Sequence, residues 1–170
     1  MKGIFSSLLL VCLFALTACA TSRTEQNAEQ AKNPIYFARD IPYQNVSVIK
    51  PEVVQECEIA ENLLISIDER SSDNGLPLTS SASPRELSVE ILNATPGVFV
   101  FGNLGSQPAT LSVQFKVTEG ESVLISETKN CRTNLAGFLG LQPSACNKLE
   151  KCARSNGEYI SERTYRILYR

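Results

Sequence analysis

The side chains that could carry chemistry are six cysteines and a group of carboxylates, and the chain contains no histidine. Without histidine, neither a Ser-His-Asp triad nor a Cys-His pair can be assembled, and the commonest metal ligand is missing. Carboxylates could replace histidine as acid–base groups, and the candidates are Asp68, Glu150, Glu158 and Glu162. Glu158 and Glu162 are one helical turn apart, a spacing that suits a solvated helix face equally well. We therefore expect no catalytic residue, no metal and no cofactor, with a carboxylate enzyme as the last alternative.

The N-terminal segment has the layout of an export signal. Lys2 supplies a basic start, and an apolar run from Ile4 to Leu16 is broken only by Ser6 and Ser7. The run is shorter than the roughly 20 residues that a membrane-spanning helix needs, and no cluster of basic residues follows it. The pattern therefore favours a signal that is removed over a permanent membrane helix.

This segment closes with Leu16-Thr17-Ala18-Cys19, which resembles the lipobox of bacterial lipoproteins. The resemblance implies that residues 1–18 are a signal peptide and that Cys19 is acylated at its thiol and at its new amine. Several acyl chains on one residue hold a protein firmly in a membrane. Ala20 in place of aspartate implies a lipid-anchored protein of the outer membrane, facing the periplasm.

Four further cysteines remain when Cys12, in the signal, and Cys19 are set aside: Cys57, Cys131, Cys146 and Cys152. Four thiols in an exported chain predict two disulfides. A four-thiolate zinc site is the alternative, but no two of these cysteines have the Cys-x-x-Cys spacing typical of zinc ribbons. Four cysteines allow three pairings.

Charge and length limit the remaining possibilities. The formal net charge is −2, which argues against a nucleic-acid partner, because phosphates require a basic face. Residues 19–42 are predicted to be an acylated N-terminus and flexible tether, since Ala20 to Lys32 is polar without apolar periodicity. Residues 43–170 are predicted to form a single disulfide-bonded domain, although folding could also begin near Pro34.

Hydrophobic periodicity predicts six elements in this domain. They are a strand at 45–49, a helix at 51–68, strands at 87–91, 110–117 and 122–128, and a last helix capped by Ser144. The polar stretch 71–84 is predicted to be a surface loop. Residues 98–101 could be a short buried strand or an exposed contact loop. Gly157 weakens the last helix by up to about 1 kcal/mol, which suggests close packing there.

The predicted fold class is α+β, in β-α-β-β-β-α order. One mainly antiparallel sheet of about four strands would carry two helices on one face. Core-facing Cys57 and Cys146 would then meet between the helices, which favours Cys57–Cys146 and Cys131–Cys152 as the disulfides. Cys57 in its helix, the hairpin 111–125 and Ser144-Ala145-Cys146 loosely resemble small uncharacterised α/β envelope lipoproteins. Some of these share the fold of the N-terminal domain of TolB-type proteins.

The function predicted from these features is that of a non-enzymatic accessory protein, a tethered domain that docks on another component of the cell envelope. The membrane, through the acyl chains, and an envelope protein would be its partners. Its candidate contact residues are Phe99, Phe101, Phe138 and Leu139, because contiguous apolar surface marks interfaces. A module that binds a small molecule or a glycan is the alternative, although the chain has no tryptophan for sugar stacking.

Overall fold

The computed structural model describes residues 33–44, 49–97, 99–100, 105–106, 108–133 and 145–169. These residues form the strands β1 (Ile35–Phe37), β2 (Leu78–Thr79), β3 (Arg85–Thr95), β4 (Phe99–Val100), β5 (Gly105–Ser106), β6 (Ala109–Glu119) and β7 (Ser122–Thr133). They also form the helices α1 (Pro51–Glu56), α2 (Ile59–Asn74) and α3 (Ala145–Leu168).

A five-stranded sheet in the order β2-β1-β3-β6-β7 forms one layer of the described structure. The long strands β3, β6 and β7 pair antiparallel, whereas β1 is parallel to both β2 and β3. Every second residue of β6 from Ala109 to Val117 is buried, so one face of the sheet is apolar. α3 packs on this face against β6 and β7, beside α2. The α+β class is confirmed, with five strands in the sheet where about four were predicted.

The strand β1 lies within the range 19–42 that was predicted to be a tether. Ile35 and Phe37 are almost completely buried in the sheet, so folded structure reaches back at least to Ile35. A three-residue strand is too short to show the alternation that identifies a strand in sequence. Of the predicted strand at 45–49, residues 45–48 lie outside the described residues, and Ile49 is buried without belonging to a strand.

The helix predicted at 51–68 is two helices, because the chain breaks at Cys57, whose backbone is extended. The second helix continues to Asn74, into the predicted loop 71–84, and ends at Gly75 in the left-handed conformation with φ of 70°. Glycine is the usual residue at that position because it has no Cβ to clash. Serine and asparagine are weak helix formers, but Ser71 is buried and its hydroxyl lies 2.9 Å from that of Ser161.

The helices α2 and α3 meet through small and polar side chains. A Cβ at Gly157 would lie 2.8 Å from the Cβ of Ser66 and 2.9 Å from the carbonyl oxygen of Leu63. Ser66 donates to the carbonyl oxygen of Arg154 at 2.7 Å, and Arg154 Nε donates to Asn62 Oδ1 at 2.9 Å. The close packing predicted at Gly157 is therefore confirmed. Asn62, Ser66 and Ser71 of α2 contact Arg154, Gly157 and Ser161 of α3, respectively. Residue numbers increase in the same direction along both helices, so the helices run parallel.

The hairpin β6–β7 contains a bulge close to its turn. Val117 pairs with Ile125, but Thr118 pairs with Val123, which leaves Leu124 as an extra residue in β7. An extra residue interrupts the alternation of inward and outward side chains, and Val123 and Leu124 are 53% and 38% exposed. This pair is called the hairpin tip below. The strand also extends beyond its predicted end at 128 to Thr133.

Candidate functional site

The predicted site residues fall into two groups. Cys19, Phe101, Phe138 and Leu139 lie outside the described residues. Phe99 belongs to β4, where it pairs with Ser106 of β5. The four remaining cysteines are all described.

The structure joins Cys57 to Cys146 and Cys131 to Cys152, with Sγ–Sγ distances of 1.99 and 2.00 Å. These are the pairs that helix geometry favoured. Cys57 follows α1, and Cys131 lies near the end of β7, whereas their partners lie in the first third of α3. The two bonds therefore fix the beginning of α3 to the helical layer and to the sheet.

The two disulfides mark one end of the domain, called the distal end here. Cross-strand register places Thr95, Thr110 and Arg132 in one row across β3, β6 and β7. β3 ends in this row, β7 ends one residue beyond it, and β6 begins one residue before it. The stretches 96–108 and 134–144, which include the predicted contact residues, are therefore connected to the domain at its distal end.

The opposite end of the sheet, called the tether end here, is where the described chain begins. Register places Ile35, Arg85, Glu119 and Ser122 in one row across β1, β3, β6 and β7. Hydrogen bonds close this end: Ser83 Oγ donates to the Pro34 carbonyl, Gly120 N to that of Pro84 at 2.8 Å, and Tyr169 OH to that of Asn33 at 3.4 Å. The 11 residues of β3 separate the ends by about 33 Å at about 3.3 Å per residue.

Two of the four carboxylates considered for catalysis, Asp68 and Glu162, accept hydrogen bonds from arginines. Asp68 accepts a hydrogen bond from Arg39 at 2.6 Å, and Glu162 accepts from Arg70 and, at 3.3 Å, from Arg166. The hydrogen bond from Arg70 is the main cause that lowers the pKa of the Glu162 carboxyl. A carboxylate held ionised cannot donate a proton as a general acid. Asp68 and Glu162 therefore have the contacts of surface ion pairs.

A group that sequence reasoning missed connects α3 to the sheet edge. Glu127 of β7 accepts from Arg163 Nη2 at 2.8 Å and from Tyr159 OH at 3.1 Å. Lys129 Nζ lies 4.3 Å from the Tyr159 ring centroid, and Phe115 meets that ring edge-on. Arg163 lowers the pKa of Glu127, whereas burial and then Glu127 raise the pKa of Tyr159.

A signal for this group was present in the sequence. Glu127 is two residues after Ile125, so the alternation of the strand places its side chain on the apolar face. A charge on that face requires a partner, and Arg163 on the last helix provides it. On the same helix Arg166 pairs with Glu162.

One cleft of about 380 Å³ lies where α2 ends, beside β2. Arg39 and Asp68 form an ion pair in its wall. Its other lining residues are Ser71, Ser72, Leu76, Pro77 and Leu78. The volume lies in the range of small-molecule sites. Such sites are mostly apolar with few polar groups, whereas an ion pair and two serines line this cleft.

Across the described ranges, no three side chains of the ligating types are grouped so that they could hold a metal ion. The described helices include none that is both long and apolar enough to cross a membrane.

Comparison with known proteins gives a fold similarity. No protein-family model matches the chain, and no curated protein matches it in sequence. A Xanthomonas campestris protein of the family DUF330 superposes with a TM-score of 0.56 at 10% identity, covering 79% of this chain and 84% of that one. This similarity is one of fold.

Two further solved structures match with lower scores. The PelC dodecamer from Paraburkholderia phytofirmans gives a TM-score of 0.47 at 10% identity, covering 75% of this chain and 85% of that one. A minor lipoprotein from Acinetobacter baumannii gives 0.44 at 13% identity, covering 78% and 94%. The resemblance to TolB-type domains drawn from the sequence stays a prediction.

Proposed function

We propose that the protein is a non-enzymatic lipoprotein of the bacterial cell envelope. Acylated Cys19 holds it on the outer membrane, facing the periplasm, and the domain docks on another envelope protein through its distal end. The observation that carries this proposal is the separation of the two ends. The chain that leads back to Cys19 joins the domain at Asn33, whereas the predicted apolar contact stretches join it about 33 Å away.

The disulfides support a docking role for the distal end. Both bonds lie there, and a stretch that begins and ends on fixed elements loses less conformational freedom when a partner binds. The segment 134–144 begins after Thr133 in β7 and ends before Ala145 in α3. Cys131 and Cys152 join those two elements directly.

The alternative is a small-molecule or glycan-binding module, and the cleft beside Arg39 and Asp68 is the observation that favours it. We place it second because these two side chains already neutralise each other across the wall. A charged ligand would have to break that ion pair in order to bind. The surrounding serines offer hydrogen bonds, but Ser71 already bonds to Ser161.

Site-specific photocrosslinking in cells tests the proposal. A photoreactive amino acid replaces Phe99 near the distal end or, as a matched control, Glu86, which is exposed at the tether end. Crosslinking is compared between the acylated protein and a Cys19→Ala variant that retains its signal. We expect position 99, and not position 86, to capture one envelope protein reproducibly, and only when the protein is acylated.

Charge substitutions then test the contact with the captured partner. Phe99→Asp and Phe138→Asp should each reduce its capture, because a buried unpaired carboxylate opposes binding at an apolar interface. Circular dichroism must show that both variants remain folded. If both folded variants capture the partner as well as the parent, the distal end is not the docking surface.

A further inference from the structure

The tether end presents an exposed apolar pair that the docking proposal does not use. Val123 and Leu124, the hairpin tip, are adjacent, and they are the exposed large hydrophobic side chains of the described structure. The bulge in β7 lies at these two residues, and bulges commonly re-aim side chains at functional positions. Neither side chain belongs to the hydrophobic core, so their apolar character is not explained by core packing.

The hairpin tip lies at the end of the domain that the N-terminal chain enters. Ile35 and Ser122 are in the same row, three strands apart, which is about 14 Å at 4.7–4.9 Å per strand. Gly120, in the turn of the hairpin, donates to Pro84, and neighbouring Ser83 donates to Pro34. The tip and the point of chain entrance therefore belong to one surface.

The length of chain before Asn33 determines what this surface can reach. Cys19 and Asn33 are separated by 14 residues. If these residues form the flexible tether that the sequence predicts, they span about 20 Å on average, at 5–6 Å times the square root of the length. The long axis of the sheet adds about 33 Å between the tether end and the distal end. A lipid surface that holds Cys19 is thus closest to the tether end.

We propose that the hairpin tip, Val123 and Leu124, rests in the interface of the membrane that carries the acyl chains. The inference rests on the lipid-anchored function proposed above and adds a second contact with the membrane. Two partly exposed aliphatic side chains bind lipid weakly by themselves, but a tether of this length gives them a millimolar effective concentration at the surface. Contact at the tip would hold the domain upright, with its distal end away from the membrane.

Charge at the tip specifies the kind of lipid. The turn carries Glu119 and Glu121, and Glu119 is paired with Arg85 at 2.9 Å. Glu121 is exposed, so an anionic headgroup would repel the tip. The surface that fits is therefore a zwitterionic one, such as a phosphatidylethanolamine layer.

Tryptophan fluorescence tests this contact, because the natural chain has no tryptophan. Leu124→Trp places one reporter at the tip, and Thr95→Trp places a matched reporter at an exposed position of the distal end. Each acylated variant is reconstituted in phosphatidylethanolamine and phosphatidylcholine vesicles, with or without brominated acyl chains. We expect the tip reporter to be blue-shifted and quenched by bromine, and the distal reporter to be unaffected.

Flotation of the same samples separates the two proposals. Variants that fail to float with the vesicles would refute the lipid anchor and, with it, the tip contact. Floating variants in which both reporters are equally unquenched would refute the tip contact and leave the anchor intact. If the tip reporter is shielded only in native membranes, and not in these protein-free vesicles, a protein rather than lipid covers it, and the inference is wrong. Val123→Trp repeats the test at the adjacent position.

Discussion

Replacing Gly157 with alanine should destabilise the domain, although alanine is the better helix former. In a helix interior, alanine is favoured over glycine by about 1 kcal/mol. At this position the new Cβ would lie 2.8 Å from the Cβ of Ser66 and 2.9 Å from the Leu63 carbonyl oxygen. Carbon atoms in good contact are about 3.5–4.0 Å apart, so α2 and α3 would have to separate by about 0.7 Å or more.

The packing penalty decides the sign of the change. Insertion of a methyl group into a well-packed interior costs about 1–3 kcal/mol, and the propensity gain offsets about 1 kcal/mol of this. We therefore expect Gly157→Ala to lower the free energy of unfolding by about 1 kcal/mol. The assay is urea denaturation of the disulfide-intact domain, analysed for midpoint and slope.

An exposed position in the same helix supplies the reference. The difference between Ser155→Ala and Ser155→Gly gives the propensity term alone, because Ser155 is exposed in α3. Ser66→Gly removes two of the three closest contacts of the new Cβ, so Gly157→Ala should cost less in that background. If Gly157→Ala stabilises the domain as much as the reference difference predicts, the proposed close packing of the helices is wrong.

Three further predictions concern other contacts. Asn156 is fully buried, and neither its Nδ2 nor its Oδ1 has a hydrogen-bond partner, so Asn156→Leu should raise the free energy of unfolding by about 1–2 kcal/mol; a loss in urea denaturation would mean that the amide has a partner. Arg163 lowers the pKa of Glu127 below its ordinary 4.5, so this ion pair stabilises the fold above pH 4.5 and is lost as pH falls through the folded-state pKa. Urea midpoints between pH 3 and 7 should therefore depend less on pH in Glu127→Gln, and an unchanged acid slope would contradict this. The disulfide Cys57–Cys146 closes 89 residues and the other closes 21, so replacing the first pair by serine should cost about 4.5 kcal/mol against about 3 for the second; thermal unfolding should show that order, and the reverse would rule out loop closure as the main term.

The hairpin and the helix contact could be predicted because their signals are local. Residues 111–117 alternate strictly, and a turn at Glu119-Gly120-Glu121 follows at once, so the pairing of β6 with β7 needs no distant information. Gly157 indicated a close contact because glycine is costly inside a helix unless it serves packing. The disulfide pairs agree with those predicted from the helical stripes, although Cys57 lies at the break between α1 and α2 and not within a helix.

Other features depended on residues far apart in the sequence. β1 is a strand because Ile35 and Phe37 pair with β3 some 50 residues later, and three residues alone carry no periodicity. Ser71 stays helical because Ser161 meets it across the helix contact, against the weak helix propensity of its own segment. The partner of Glu127 likewise depended on where α3 lies.

The sequence by itself determined the N-terminal motif, the number of available thiols, the absence of histidine and the order of the long elements, because each is a property of residue type or of short-range periodicity. Only the tertiary structure decided which segments meet at each end of the domain. Sheet register placed Ile35 in the same row as Ser122, which precedes the hairpin tip, and placed the ends of β3 and β7 at the distal end. Register depends on how whole strands pair, because the correct pairing buries one face of the sheet. A single segment of the sequence cannot specify the register.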